Sequence, residues 1–154
     1  MSEALLSVKR LNVSYGGIHA VKGIDFTVNA GEQVTLIGAN GAGKTSSLRA
    51  LTGLQPFEGD ILFDGRSIRG MAPHRLLQQG LVMVLAPIVV EAIFSVIKQL
   101  AHDGVTLLLV EQNARLALES TDRAYVLDSG SLSHSGRSAD MLDDEKIKQI
   151  YLGE

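Results

Sequence analysis

The chain has 154 residues, of which 45% are hydrophobic and 20% charged, and its net charge is −3; this balance excludes intrinsic disorder and fits one domain over residues 1–154. Because lysine and arginine form no cluster, we expect no nucleic-acid partner, and the longest apolar run, ten residues from Leu81 to Val90, is too short to span a bilayer. The lack of cysteines, and of a charged leader before a long apolar stretch, favours a cytoplasmic location.

The first half of the chain shows mainly strand patterns. Alternating or β-rich runs predict four strands, at Leu5–Val13, Ile24–Val28, Gln33–Ile37 and Gly59–Gly65. The third of these leads directly into a glycine-rich loop. The segment Thr45–Thr52, which follows the loop, predicts a helix that ends at Gly53.

The second half alternates between helix and strand patterns. The expected helices cover Pro73–Gln79, Pro87–Leu100, Ala114–Glu119 and, as one or two helices, Ala139–Leu152. The expected strands cover Leu81–Val84, Val105–Val110, Arg123–Leu127 and Ser131–Ser133. This alternation predicts an α/β fold with a mainly parallel sheet and helices on both faces, to which the first 30 residues add an antiparallel part.

The glycine-rich loop carries the strongest functional signal. Its residues are Gly38, Ala39, Asn40, Gly41, Ala42, Gly43, Lys44 and Thr45. In this pattern the backbone N–H groups converge on phosphate oxygens, Lys44 reaches the β- and γ-phosphates, and Thr45 offers a hydroxyl to Mg²⁺. The positive end of the following helix faces the same anion. The pattern predicts a nucleoside triphosphate site; the alternative is a glycine-rich turn that binds nothing.

The sequence resembles the ATP-binding-cassette (ABC) subunit of a transporter. Residues Gly38–Ser46, Tyr15 upstream and Gly53–Gly65 downstream carry this resemblance. More narrowly, the chain resembles the ATPase subunits of bacterial branched-chain amino-acid importers, in the segments Leu81–Val84, Leu85–Glu91, Leu109–Ala114 and Tyr151–Glu154. The resemblance implies a P-loop NTPase core that binds ATP through Gly38–Ser46, with Mg²⁺ at Thr45. It also implies membrane permease subunits and a second ATPase subunit as partners, at the inner face of the cell membrane.

Tyr15 has two interpretations. An aromatic residue at this position stacks on adenine in the family that the chain resembles, and such stacking contributes about 1–3 kcal/mol where it has been measured for nucleic acids. From the residues alone, an aromatic side chain that packs on the sheet beside a turn is an equally good explanation.

The chain departs from the family pattern after Val84. In the family, a large segment there carries the polar Q-loop residue, a helical subdomain, the signature Leu-Ser-Gly-Gly-Gln and a strand ending in the Mg²⁺-binding aspartate and catalytic glutamate. None of these is present, and the resemblance resumes at Leu85. Because ATP hydrolysis depends on positioning and charge stabilisation, we expect ATP binding to persist weakly and turnover to be impaired or lost.

The remaining candidates for catalytic roles are Glu111 and Gln112, which directly follow the strand Val105–Val110. By resemblance, Gln112 occupies the switch position, which is usually histidine. Glu111 ends an apolar strand, as a metal-binding acid does, and it either replaces the missing acid or is simply a carboxylate at a strand end. Asp128 is expected in a turn, and the four histidines are expected to be solvent-exposed.

The missing segment also leaves the sheet with two possible arrangements. In the family fold, the missing strand lies inside the parallel sheet. Either Leu81–Val84 takes its place, joined to the next helix through Leu85 and Ala86, or the sheet keeps an unpaired apolar edge, which favours aggregation.

Three functions remain possible at this point. The first is the ATP-binding subunit of an amino-acid importer with impaired hydrolysis, and the second is a non-catalytic nucleotide-binding remnant. The third, a small P-loop kinase, needs a mobile lid with arginines, whereas the arginines here are dispersed.

Overall fold

The computed structural model describes residues 4–38, 43–52, 55–69, 81–85, 91–111 and 113–152, and for 81–85 and 91–94 it describes the backbone alone. The predicted helix Pro73–Gln79 lies outside these residues. The strands are β1 (Ala4–Tyr15), β2 (Ile18–Asn29), β3 (Gln33–Ile37), β4 (Glu58–Phe63), β5 (Arg66–Ser67), β6 (Leu81–Leu85), β7 (Thr106–Val110), β8 (Arg123–Asp128) and β9 (Ser131–Arg137). The helices are α1 (Lys44–Leu51), α2 (Glu91–His102), α3 (Ala114–Ser120), α4 (Ser138–Asp143) and α5 (Glu145–Tyr151).

The antiparallel part is a four-stranded sheet in the order β2-β1-β4-β5. Strands β1 and β2 form a hairpin around Gly16 and Gly17, and both are longer than the sequence predicts. The pairing shifts between Val8 and Leu11, where Arg10 has a positive φ of 52°. Such a bulge interrupts the alternation of side chains, which is why sequence periodicity reveals only part of each strand.

The second sheet has five strands in the order β6-β7-β3-β8-β9. Strands β6, β7, β3 and β8 are parallel, and β9 returns antiparallel to β8. Strand β6 pairs with β7 over its whole length, from Leu81 opposite Thr106 to Leu85 opposite Val110. The Leu81 strand therefore joins the sheet directly beside β7, and it is the end strand of this sheet among the described residues.

Alternating residues of the parallel sheet pack into two cores. Leu36 and Leu108 face α1 and the antiparallel sheet, where Phe26 lies 5.7 Å from Tyr125 between ring centroids. Ile37 and Leu109 face the other way, toward α2, α3, α4 and α5. The expected α/β fold with helices on both faces is confirmed.

Arg123 ties the two sheets together at the end of the parallel sheet where its strands begin. Its guanidinium donates to both carboxylate oxygens of Glu32 at 2.8 Å and to the backbone oxygen of Thr27 in β2 at 2.8 Å. Burial raises the pKa of the Glu32 carboxyl, but the hydrogen bonds from Arg123 and from the Asn29 N–H outweigh it and leave that pKa below its usual value. The same ion pair raises the pKa of Arg123.

No helix in the described part of the chain is both long and apolar enough to cross a membrane.

Candidate nucleotide-binding site

The glycine-rich loop lies at the edge of the parallel sheet where the strands end. Strand β3 ends at Ile37, directly before Gly38, and helix α1 begins at Lys44. Strand β7 ends beside β3, and the Glu111 N–H donates to the Leu36 oxygen at 3.3 Å. The middle of the predicted loop, Ala39, Asn40, Gly41 and Ala42, lies outside the described residues, so the structure shows its two ends. Those ends connect a strand to a helix, as a phosphate-binding loop requires.

Lys44 is buried at the foot of this loop, with 8% of its surface exposed. Its ammonium donates to the backbone oxygen of Gly38 and, at 3.4 Å, to that of Glu111. Burial lowers the pKa of Lys44, and the negative charge of Glu111 opposes this shift. The ammonium is therefore held by neutral carbonyl oxygens. A phosphate would offer it anionic oxygens, which bind an ammonium more strongly.

Three chain segments meet in close contact beside Lys44. Gly43, at φ 103°, lies against the backbone of Ala20 in β2, and a Cβ on it would come within 2.9 Å of the Ala20 oxygen. Gly130, in the turn between β8 and β9, would place a Cβ 2.5 Å from the same oxygen. The Lys22 N–H donates to the Gly130 oxygen at 2.7 Å. Only glycine fits at these two positions, and this contact fixes the hairpin relative to the loop.

A cavity of about 450 Å³ opens above this contact. One wall comes from the hairpin and the other from the loop, the start of α1 and Ser129. The lining residues are Tyr15, Ile18, His19, Ala20, Lys22, Gly43, Lys44, Thr45, Ser46 and Ser129. Its volume lies in the range typical of small-molecule sites.

The cavity joins an aromatic end to a cationic end. Tyr15 and Ile18 flank the hairpin turn, and Ile18 is 70% exposed. At the other end are Lys44, the exposed Thr45 and the half-buried Ser46. Tyr15 and Lys44 therefore line one and the same cavity.

The residues at the cationic end fit a Mg²⁺ ion held jointly with phosphate oxygens. The hydroxyl-bearing Thr45 lines the cavity next to Lys44. The described residues include no group of three or more histidine, cysteine, aspartate or glutamate side chains able to hold a metal. Mg²⁺ is commonly bound by one or two protein ligands together with substrate phosphates and water, so a bound nucleotide would supply most of its ligands.

Glu111 is more buried than a carboxylate at a strand end usually is, with 2% of its surface exposed. Its Oε1 accepts the Asn113 N–H at 2.9 Å, and the Asn113 side chain caps α3 by accepting the Leu116 N–H. The backbone oxygen of this candidate acid also accepts the hydrogen bond from Lys44 described above. Gln112, the predicted switch residue, lies outside the described residues.

Sequence patterns missed half of the cavity wall. Of the ten lining residues, only Tyr15 was expected upstream of the loop, and the five that were missed are Ile18, His19, Ala20, Lys22 and Ser129. Ile18, Ala20 and Lys22 alternate along one strand directly after Tyr15, and that spacing was the available signal. Ser129 has no comparable signal because a turn far along the chain brings it there. His19 and His102 are exposed as expected, His134 is half-buried, and His74 lies outside the described residues. Asp128 was expected in a turn, but it is the last residue of β8, because the turn begins at Ser129.

Comparison with known proteins identifies the family. The ABC transporter family matches residues 21–144, which is most of the chain. The chain belongs to the ABC transporter family. It corresponds to the ATP-binding domain of these transporters.

Curated relatives of this ABC domain include several kinds of importer. The chain is 27% identical over 232 residues to BraG of Pseudomonas aeruginosa, a high-affinity branched-chain amino-acid transport ATP-binding protein, covering 97% of this chain and 100% of BraG. It is 34% identical over 137 residues to the zinc import ATP-binding protein ZnuC of Magnetococcus marinus, covering 88% of this chain and 47% of ZnuC. The BraG alignment is far longer than the 154-residue chain, so many BraG positions have no counterpart here.

Solved structures show the same fold. The ADP conformation of MJ1267, an ATP-binding cassette of an ABC transporter, superposes with a TM-score of 0.82 at 18% identity, covering 99% of this chain and 100% of MJ1267. CbiO1 from Clostridium perfringens, part of the transporter complex cbiONQ, superposes with a TM-score of 0.77 at 15% identity. The superposition on MJ1267 therefore assigns the fold of an ATP-binding cassette to almost the whole of this chain.

Proposed function

We propose that this chain is the ATP-binding subunit of a branched-chain amino-acid importer, and that it binds Mg·ATP but hydrolyses it slowly or not at all. The observation that carries ATP binding is the cavity between Tyr15 and Lys44, because it joins a ring able to stack on a base to a buried ammonium able to bind phosphate. In this proposal residues Gly38–Ser46 surround the phosphates and Thr45 reaches the metal.

The choice of transported substrate rests on the BraG similarity and on the segments Leu81–Glu91, Leu109–Ala114 and Tyr151–Glu154. In this proposal the chain lies in the cytoplasm and docks on permease subunits at the inner face of the membrane, paired with a second ATPase subunit. We further propose that residues 1–154 act as one nucleotide-binding domain, internally shortened after Val84.

Slow hydrolysis follows from what the chain lacks. Neither Leu-Ser-Gly-Gly-Gln nor Asp-Glu-Pro occurs in the sequence. Phosphoryl transfer needs groups that orient the attacking water and neutralise the developing charge. Within the described residues, the loop end supplies Lys44 and Thr45 toward those tasks.

The experiment is a paired measurement on the purified chain and its Lys44→Met variant. Calorimetric titration with Mg·ATP should show binding by the unchanged chain and at least about tenfold weaker binding by the variant, because the lost charge-assisted bonds contribute on the order of 1.5–3 kcal/mol. Phosphate release should stay at the level of the variant. Substantial release that Lys44→Met abolishes would contradict the proposed loss of turnover.

A non-catalytic remnant is the second candidate, and the missing signature favours it. The molecular mass in solution, measured by light scattering, distinguishes a working importer subunit from a remnant. A subunit that still works in an importer should dimerise with Mg·ATP, whereas a remnant should bind nucleotide and stay monomeric.

A further inference from the structure

A second cavity lies on the antiparallel sheet, next to the nucleotide cavity. Its volume is about 340 Å³, which is within the range of small-molecule sites. The lining residues come from β1, from β2 and from the segment that leads into β4, and they are Asn12, Ser14, His19, Pro56, Phe57 and Glu58. His19 borders both cavities, whereas the proposed nucleotide site uses none of the other five.

Hydrogen bonds fix the chemical character of two of these side chains. The Asn12 Nδ2 donates to the backbone oxygen of Arg10 at 2.8 Å, and because a carbonyl oxygen can only accept, the orientation of this amide is fixed. The Asn12 Oδ1 lies 2.8 Å from the His19 Nε2 and therefore accepts a hydrogen bond from it. A neutral imidazole that donates through Nε2 keeps its Nδ1 as an acceptor.

The other two polar side chains of this cavity also offer acceptors. Glu58 is opposite Asn12 on the neighbouring strand, so both side chains project from the same face of the sheet. Within the described part of the chain, neither the Glu58 carboxylate nor the Ser14 hydroxyl forms a hydrogen bond or an ion pair. The polar side of the cavity is therefore rich in acceptors and carries one negative charge.

Two cationic side chains near this cavity are engaged elsewhere. The Arg69 guanidinium lies 4.5 Å from the centroid of the Phe57 ring and donates to the backbone oxygens of Phe57 and Gly59 at 3.3 and 2.7 Å. Lys22, which is opposite Asn12 on β2, lines the nucleotide cavity. Neither cation lines the second cavity, so the charge of Glu58 is open to a cation from outside the chain.

Pro56 and Phe57 add an apolar wall to these acceptors. Phe57 is half-buried and packs against the core, while Pro56 is exposed. We propose that this cavity binds a small molecule in which a primary ammonium group is attached to a short hydrocarbon stem. An ammonium has three donors and no acceptor, so it matches the acceptors of Glu58, Ser14 and His19. The stem would cover Phe57.

The test compares three small molecules that share one branched stem and differ in the charge of the head group, namely isopentylammonium, isopentanol and isocaproate. Each is titrated into the isotope-labelled chain without nucleotide, and the backbone amide shifts are followed by NMR. The ammonium should cause saturating shifts at Asn12, Ser14, His19 and Phe57, with a dissociation constant on the order of 1–10 mM for so small a ligand. It should bind at least about threefold more tightly than the alcohol, and the carboxylate should bind most weakly.

Three variants locate the charge that selects the ammonium. Glu58→Gln should lower the affinity for the ammonium about threefold, to that of the alcohol, and leave the affinity for the alcohol unchanged. Glu58→Asp keeps the charge and should keep the preference for the ammonium. Glu119→Gln removes an exposed carboxylate from α3, away from the cavity, and should behave like the unchanged chain. Amide spectra that agree outside the cavity show that each variant is folded.

Several results would overturn the inference. They are an absence of saturating shifts, shifts confined to other parts of the chain, and equal affinities of the unchanged chain for the ammonium and the alcohol. A preference for the ammonium that Glu58→Gln leaves intact, or that Glu119→Gln removes equally, would do the same. Because no nucleotide is present, each of these results leaves the proposed ATP binding untouched, and a failure of ATP binding would leave this titration unaffected.

Discussion

The backbone of Gly43 packs against the carbonyl oxygen of Ala20, so closely that a single methyl group on Gly43 would lie 2.9 Å from that oxygen. This contact joins the end of the phosphate loop to the hairpin that carries Tyr15. It is a backbone contact, so a side chain cannot relieve it by changing rotamer. The geometry of the site therefore depends on this glycine as much as on Lys44.

We expect Gly43→Ala to weaken the binding of nucleotide. The added methyl group must displace either the hairpin or the start of α1, and the left-handed φ of 103° adds strain. The dissociation constant for Mg·ATP, measured by calorimetry, should rise at least about tenfold, since a misplacement of about 1 Å can lower the rate of a preorganised site about a hundredfold and should weaken binding by the displaced groups as well.

Gly65→Ala is the matched control for this substitution. Gly65 also has a positive φ, 79°, but a Cβ there meets no atom within 4 Å. It should cost about 1 kcal/mol in the free energy of unfolding and leave ATP binding intact. Equal losses of binding in the two variants would point to backbone strain and argue against the Gly43 contact.

Tyr15→Ala tests which interpretation of the aromatic residue is right. If the ring stacks on the base, its removal should weaken Mg·ATP binding by about 1–3 kcal/mol while Tyr15→Phe stays close to the unchanged chain. A fluorescent ATP analogue displaced by unlabelled ATP gives both affinities. Should Tyr15→Ala lower the melting temperature without weakening ATP binding, the ring would only be packing on the sheet.

The ion pair of Arg123 and Glu32 should contribute to the free energy of unfolding but should not affect the binding of Mg·ATP. Arg123→Met removes the two hydrogen bonds that Arg123 donates to the Glu32 carboxylate and should lower the free energy of unfolding by about 2–3 kcal/mol at pH 7, as measured by urea denaturation. Binding of Mg·ATP should change little because the pair lies at the opposite end of the strands.

The same pair predicts a pH dependence with a definite sign. The pKa of Glu32 in the folded chain is below the ordinary 4.5, so its contribution to stability is present at higher pH and is lost as the pH falls through the lowered pKa. Between pH 7 and pH 3, Glu32→Gln should therefore lose less stability than the unchanged chain. Parallel stability curves for the two proteins would show that Glu32 contributes nothing to acid sensitivity.

The sequence predicted the parts of this fold that local patterns encode. Strand β3 is a short β-rich run and strand β7 is apolar after Thr106. The segment Gly38–Thr45 has the glycine, lysine and threonine spacing of a phosphate-binding loop. The partner of β6 could not be predicted in this way, because an apolar run such as Leu81–Leu85 fits beside any buried strand. Only the pairing observed in the structure shows that β6 lies beside β7, with Leu81–Leu85 opposite Thr106–Val110.

The site was predicted at its phosphate end and largely missed at its walls. Lys44 and Thr45 belong to a contiguous motif, whereas Lys22 and Ser129 meet through the hydrogen bond between the Lys22 N–H and the Gly130 oxygen, which joins distant parts of the chain. The burial of Glu111 was also beyond local patterns, since it results from packing between β7, β3 and α3.

The most direct test of ATP binding by this shortened chain is a thermal unfolding curve with and without Mg·ATP, using Lys44→Met as the control. A ligand that binds only the folded state at a hundredfold excess over its dissociation constant stabilises that state by about 2.7 kcal/mol, which corresponds to a rise of about 5–10 °C in melting temperature for a chain of this size. We predict a cooperative transition that Mg·ATP raises in this way and that does not respond in Lys44→Met. An unfolding curve that Mg·ATP leaves unchanged, or an equal rise in the Lys44→Met variant, would contradict nucleotide binding at this loop.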